Sequence, residues 1–195
     1  MTSEILNKSL SEHQDIFLGI HSMFPEIEKA YLIILDALQS GRQILVAGNG
    51  GSASDAQHFA AELVGKFEFD RIPLKAIALN TDTSSITAIG NDYGFDMIFS
   101  RQVEALANPG DVFIAITTSG NSKNISKAIN MAQELGVIVI LLSGATGGFA
   151  EKMLQKPKDH SLIINSDRTA RIQEAHIFIL HMLCELIDCA LNHQK

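Results

Sequence analysis

The sequence predicts an α/β fold: a doubly wound, five-stranded parallel sheet with helices on both faces and a helical extension in front. Three observations predict it. Short apolar runs recur after residue 41, at 43–47 (QILVA), 75–79 (KAIAL), 111–117 (DVFIAIT), 137–142 (VIVILL) and 161–165 (SLIIN). Each is apolar throughout instead of alternating, as expected of strands covered on both faces. Helical patterns separate the runs, and that alternation yields a parallel sheet with right-handed crossovers.

The first 40 residues carry no strand. The stretch EILNKSLSEHQDIFLGIHSMF is helix-like and weakly amphipathic. A break falls near Phe24, because Pro25 suits a first helical turn. From there Ile27, Tyr31, Ile34, Leu35 and Leu38 form a helical stripe that Ser40-Gly41 can end. Two such helices must bury their stripes on the rest of the domain or on another subunit. After the first strand a helix runs over Ser52–Val64. Helical pattern then extends from about Thr83 to Ala107, over Lys123–Leu135 and over Gly148–Leu154, and a last helix spans about Thr169 to Leu191. The chain reads as one domain, 1–195, with 1–40 as N-terminal helices; it shows no internal repeat and no low-complexity linker.

Composition excludes several classes. Apolar residues make up 46%, ordinary for a globular protein, and 195 residues suffice to bury a core without staples. A formal charge of −7, without a cluster of Lys and Arg, argues against a nucleic-acid binder. No apolar run approaches the roughly 20 residues of a membrane span, and the polar N-terminus does not resemble a signal peptide. Cys184 and Cys189 sit in a helical stretch and suggest no disulfide framework. A reducing cytoplasm is the expected location.

Ligands of such sheets bind beyond the carboxyl ends of the strands. Two turns there are chemically dense. GNGGSAS, 48–54, has three glycines that allow unusual backbone angles and close approach, and Ser52 and Ser54 open the following helix. It matches neither the nucleotide loop, which needs a Lys, nor the dinucleotide spacing. TTSGNS, 117–122, places the hydroxyls of Thr117, Thr118, Ser119 and Ser122 around one glycine at a helix N-terminus. Hydroxyls, orphan N–H groups and the positive helix end together form an anion cradle that needs no basic side chain. For a single hydroxyl, capping by Ser122 or Asn121 is the simpler expectation; four point to a phosphate.

The helix behind the first loop carries His58 and Glu62 at i and i+4, on one face. Alone, such a pair is an ordinary surface interaction. Among Phe59, Ala60, Ala61, Leu63 and Val64, one turn past a ligand loop, it is a candidate for metal binding or proton transfer. The last helix sets Gln173, His176 and His181 into apolar sequence. His176 fits a satisfied core residue. Gln173 and His181 lie about 12 Å apart along a helix axis, whereas zinc ligands lie about 2 Å from the metal. Sharing one ion requires side chains that reach toward each other, an irregular helix or contributions from different subunits.

Five segments in order, GNGGSASDAQHFAAELVGKF, AIALNTD, AIGNDYG, TTSGNS and ARIQEAHIFILHMLCELID, identify a resemblance covering essentially the whole chain. The chain resembles the sugar isomerase (SIS) domain family, which has a flavodoxin-like fold. Within that family it is similar to the isomerases that interconvert sedoheptulose 7-phosphate and D-glycero-D-manno-heptose 7-phosphate. The resemblance implies substrate contacts from Asn49, Gly50, Gly51, Glu62, Asn91, Asp92, Thr117, Thr118, Ser119, Ser122 and Gln173. It implies zinc held by His58, Glu62, Gln173 and His181, with Glu62 and His181 as the catalytic pair. It also implies a homotetramer with active sites at subunit boundaries and a product that feeds lipopolysaccharide precursor synthesis. Two other functions occur on the fold. One is a regulator of the bacterial replication initiator, which lacks the carboxylate and histidine that match Glu62 and His181. The other is isomerisation of a pentose or hexose phosphate, against which the leading helices and the His58–Glu62 pair speak.

Overall fold

The computed structural model describes residues 1–192. Two helices lead, α1 (Thr2–Ile20) and α2 (Phe24–Gln39), joined by a 3-10 turn at His21–Met23. The expected break before Pro25 is thus a tightening of the helix and not a loop. Strands and helices then alternate: β1 (Ile44–Gly48), α3 (Gly51–Val64), β2 (Ala76–Ala78), α4 (Thr83–Tyr93), α5 (Ser100–Leu106), β3 (Val112–Thr117), α6 (Lys123–Glu134), β4 (Ile138–Gly144), α7 (Gly148–Met153), β5 (His160–Ile164) and α8 (Thr169–Asn192).

All five strands are parallel, in the order β2-β1-β3-β4-β5. β1 lies between β2 and β3, with Val46 opposite both Ala78 and Ile114. The order reverses direction at β1 and β3, so the crevice beyond their carboxyl ends is the topological switch point where ligands bind in such sheets. The two loops singled out by the sequence both open there.

Alternate strand residues feed two cores. Ile44, Val46, Val112, Ile114, Ile140 and Leu162 pack under α2, α3 and α8. Leu45, Ala47, Phe113, Ala115, Val139 and Leu141 pack under α5, α6 and α7. Double burial is why the three central strands are apolar without a break over 44–47, 112–116 and 138–142. The helical stretch expected at 83–107 is interrupted. Asp82 caps α4 by accepting the Ser85 amide at 3.0 Å, and Gly94, at φ 89°, ends it before a 3-10 turn leads into α5. Leading helix α1 packs on α8 through Phe17 against Phe178 and through a hydrogen bond between His13 and Glu174, and it meets the residue just before α8 in the ion pair of Glu12 with Arg168. No described helix is long and apolar enough to cross a membrane.

Candidate active site

One helix, α3, carries the predicted site residues at two levels. At its N-terminal end the chain turns sharply out of β1, and Gly50 adopts φ 58°, ψ −122°, a conformation that a side chain would strain. Asn80 clamps this turn: its Nδ2 donates to the Gly48 carbonyl at 2.8 Å and its Oδ1 accepts the Gly48 amide at 3.3 Å. The second loop leaves the neighbouring strand β3. There the Thr117 and Ser122 hydroxyls face each other at 3.1 Å, and Ser119 Oγ accepts the Asn121 amide at 3.2 Å. Ser122 immediately precedes α6, yet its side chain makes no capping bond. Its hydroxyl meets Thr117 instead; the Ile125 amide is taken by Asn124 Oδ1 at 2.9 Å, which leaves the Lys123 and Asn124 amides at the start of α6 for an anion. Asn121 serves the loop as well, accepting the Phe149 amide at 3.1 Å.

A bond the sequence did not announce joins the two loops. Asn49 and Asn124 exchange amide hydrogen bonds, both 2.9 Å long. Asn124 lies on the first turn of α6 and is buried; a polar residue one step behind Lys123, on the inner side of that turn, was its only sequence signal. Gln173, early on α8, reaches the same place. A Cβ built on Gly51 would come within 2.5 Å of Gln173 Nε2, so Gly51 is the residue that lets the amide lie on the loop.

Two turns further along α3 lies the second group. His58 Nε2 stands 3.1 Å from Glu62 Oε1 and 3.1 Å from His181 Nε2. The two histidine rings are 4.9 Å apart between centroids, and the Phe67 ring lies 5.5 Å from that of His181. The His58 side chain is 47% exposed and that of Glu62 25%, so solvent and substrate can reach both. Burial and the neighbouring His58 hold His181 below the ordinary imidazole range, with Glu62 opposing. Asp55, one turn before His58, has a buried Oδ2 without a partner. Burial pushes its carboxyl up to about 6 against the pull of His58.

Helices α3 and α8 run side by side in the same direction, Gly51 level with Gln173 and His58 level with His181. Within one chain, therefore, Gln173 belongs to the loop end and does not meet the His58–Glu62–His181 group. Asn91 and Asp92 join neither. Exposed at the end of α4, they bond to each other, Asn91 Nδ2 donating to Asp92 Oδ1 at 2.8 Å. His176 is core, as expected, but only half-satisfied: Nε2 faces the Ser143 carbonyl at 3.2 Å while Nδ1 has no partner. Burial lowers its pKa to about 4.

This geometry can be set beside known proteins. A family model described as the SIS domain matches residues 11–144. A phosphoheptose isomerase of Campylobacter concisus is 49% identical over 192 residues, spanning 98% of this chain and 100% of that one. The chain belongs to the phosphoheptose isomerase family of SIS domain proteins. Two solved members of the family superpose closely. The phosphoheptose isomerase from Neisseria gonorrhoeae gives a TM-score of 0.92 at 43% identity, covering 97% of this chain and 100% of that one. The one from Francisella tularensis gives 0.94 at 40% identity, covering 97% and 99%.

The donors at the second level fit zinc in kind and in spacing. Ligands bound at 2.0–2.1 Å to a tetrahedral ion stand about 3.3 Å from one another, close to the two 3.1 Å separations at His58 Nε2. Among the described residues, however, no three His, Cys, Asp or Glu groups already form a complete ligating cluster. In one chain, two edges of the triangle are in place and Gln173 is not at hand.

Proposed function

We propose that this aldose–ketose isomerase interconverts sedoheptulose 7-phosphate and D-glycero-D-manno-heptose 7-phosphate by proton transfer through an enediol, at a pocket running along α3. The observation that carries the reading is the convergence of Glu62 and His181 on one point, His58 Nε2, a fixed distance from the anion loops. From Gly51 to His58 the helix rises about 10 Å. A seven-carbon chain with a terminal phosphate has eight bonds from C1 to phosphorus, also about 10 Å when extended at about 1.2 Å of reach per bond. With its phosphate on the 117–122 hydroxyls and the α6 N-terminus, such a sugar presents C1 and C2 to Glu62 and His181. A pentose phosphate falls about two bonds short.

The chemistry follows from the groups present. The Glu62 carboxylate takes the proton from the hydroxyl-bearing carbon and returns it to the neighbouring carbon. His181 moves the complementary proton between the two oxygens, so the substrate loses and gains one hydrogen on carbon and one on oxygen. Proton transfer of this kind requires hydrogen-bond reach. Asn49, Gly50 and Gly51 line the sugar at the first loop, and Gln173 lies beside them. Zinc bound by His58, Glu62 and His181, with Gln173 as the fourth ligand, would polarise the carbonyl and stabilise enediolate charge. A fourth protein ligand would close a tetrahedral shell, so a position open to substrate would require Gln173 to be displaced or the shell to expand.

The assembly we propose is a homotetramer in which another copy completes each pocket. Two features support it. Asn91, Asp92 and Gln173 lie off the catalytic level within one chain. The leading helices and α8 also leave Ile5, Leu6, Leu10, Leu18, Leu32 and Leu186 exposed, apolar side chains that another copy could cover. We place the enzyme in the cytoplasm, supplying heptose for lipopolysaccharide precursors. The test is direct: incubate the protein with sedoheptulose 7-phosphate, with and without a chelator, and follow the aldose by NMR. Metal-dependent formation of the heptose is expected; no conversion, with or without added zinc, ends the reading.

A further inference from the structure

A buried ion pair behind the second level is the candidate for what holds Glu62 and His181 in register. Arg71 and Asp188 are 3% and 1% exposed, with Arg71 Nε donating to Asp188 Oδ1 at 2.6 Å. Ion pairs this deep gain little stability over a well-packed apolar pair, so their bonds deserve a count. The Arg71 fork turns back onto the end of α3: one terminal nitrogen donates to the Glu62 carbonyl at 2.7 Å, the other to the Leu63 carbonyl at 2.8 Å and to its neighbour Ile72 at 3.1 Å. Glu62 and Leu63 are among the last carbonyls of the helix, which have no partner within it, and a cation at that end also suits the helix dipole. The other half of the pair is on α8, seven residues beyond His181 and so two turns along on the same side. Asp188 Oδ2 accepts the Glu68 amide at 2.9 Å and the Phe69 amide at 3.2 Å. Those amides belong to the loop whose Phe67 ring lies against His181. Burial alone would raise the Asp188 carboxyl; the Arg71 bond and the two amides outweigh it and hold the group below the ordinary carboxylate range, ionised at neutral pH.

We infer that Arg71 and Asp188 are positioning residues: together they lock the end of α3 that bears Glu62 to the stretch of α8 that bears His181, and lay Phe67 on the histidine. The pair touches no substrate. It sets the separation and facing of the two groups that do. Misplacement of reacting groups by about 1 Å can lower a rate by about 10²-fold, while the anion loops, at the other end of α3, are untouched. The inference rests on the proposed roles of Glu62 and His181.

Two variants and two readouts test it. Arg71→Lys keeps the charge and its partner but loses the fork that reaches the Glu62 and Leu63 carbonyls of α3 together. Arg71→Met/Asp188→Leu replaces the pair with apolar groups, a change that restores stability where single removal does not. Both are expected to fold; the double variant should melt above either single removal, because no buried charge is left unpaired, but below the wild type, because the Glu62 and Leu63 carbonyls and the Glu68 and Phe69 amides lose their partners. In both, kcat for sedoheptulose 7-phosphate should fall by about 10²-fold with KM held within about threefold, the pattern of an interaction felt in the transition state. A stable double variant with wild-type kcat overturns the inference, as does a KM that rises in step with the loss of rate. The second readout needs no turnover. In Arg71→Lys the ring resonances of His58 and His181 should shift while the amide resonances of 48–52 and 117–122 stay in place; unmoved rings overturn the inference. Failure of the wild type to convert the heptulose instead counts against the functional reading, and the ring resonances then still decide whether Arg71 sets the seam.

Discussion

The two ends of α3 solve different problems by different means. At the loop end, recognition is made largely of backbone: a glycine in a conformation closed to other residues, the clamp of Asn80 on Gly48, and the Lys123 and Asn124 amides of α6 beside four hydroxyls. Every part lies within a few residues of its neighbours in sequence or on an adjacent strand. At the seam with α8, function depends on side chains whose positions are unrelated in sequence, His58 meeting His181 across 123 residues. The first kind of site tolerates small movements, because a phosphate accepts bonds from many directions. The second does not, because a proton must pass between particular atoms. The expectation is that changes at the seam alter kcat and changes at the loops alter KM.

The largest effect is expected from Glu62→Gln. The amide is nearly the same shape and keeps a contact with His58, but it cannot take a proton from carbon. General-base contributions are typically about 10² to 10⁴-fold, so turnover measured by NMR should fall by that much. Binding of the sugar phosphate by calorimetry should change little. Near-normal turnover would remove Glu62 from the base role and dissolve the contrast between the two ends.

How far the sequence revealed these two ends follows the same division. The strands were legible because burial on both faces forces an apolar run, and each observed strand overlaps its predicted run. β2 is shorter, only Ala76–Ala78, and Ile77 at this edge of the sheet is exposed. The glycine loop and the hydroxyl loop were legible because their parts are contiguous. His58 and Glu62 were legible as an i, i+4 pair. What sequence could not show is that α3 and α8 run side by side in the same direction, which pairs Gln173 with Gly51 instead of with His181. The distance of about 12 Å between Gln173 and His181 was thus a real obstacle within one chain. Nor could it single out Asn124, Arg71 or Asp188, whose only signal is a polar side chain set in an apolar neighbourhood, a signal that many surface residues share.

A second large effect separates the seam from the core beneath it. His176 is on the same helix as His181, but buried, with a pKa near 4 in place of 6.5. As pH falls, the unfolded chain takes up this proton first, so stability is complete above about 6.5 and is lost down to about 4. The span corresponds to about 3 kcal/mol at 1.36 kcal/mol per unit. Asp55 works in the opposite sense, since its raised pKa of about 6 makes the folded state the better proton acceptor between 6 and the ordinary 3.8. The total pH profile therefore mixes the two. The difference in unfolding free energy between wild type and His176→Met isolates the histidine, and it should shrink by about 3 kcal/mol between pH 7 and pH 4 in denaturant titrations. A constant difference would mean that His176 finds a partner for its proton in the folded state.

Asn124→Ala tests the loop end with a smaller change. It leaves the Asn49 amide without its reciprocal partner, and an unpaired polar group of this kind costs about 1–3 kcal/mol. Because Asn124 joins the two loops and touches nothing at the seam, KM for the sugar phosphate should rise about tenfold with kcat nearly constant. A fall in kcat with KM unchanged would show that the loops and the seam are not separable.

The smallest effect comes from a second ion pair in the loop that Arg71 closes. Lys66 and Asp70 meet at 2.9 Å, nearly the separation of Arg71 and Asp188, yet their side chains are 56% and 92% exposed. Water screens the attraction, and two long side chains lose freedom to hold it, so exposed pairs contribute little or nothing measurable. Lys66→Met should therefore melt within error of the wild type, at low and at high salt. Arg71→Met, in which a charge is left buried without its partner, should melt far lower. The two cations lie five residues apart in the chain, and the pairs differ in access to water and in the backbone bonds that Arg71 and Asp188 also make. If both substitutions proved equally mild, burial would not be what makes Arg71 and Asp188 a lock, and the register of Glu62 with His181 would have to come from the packing of α3 on α8 alone.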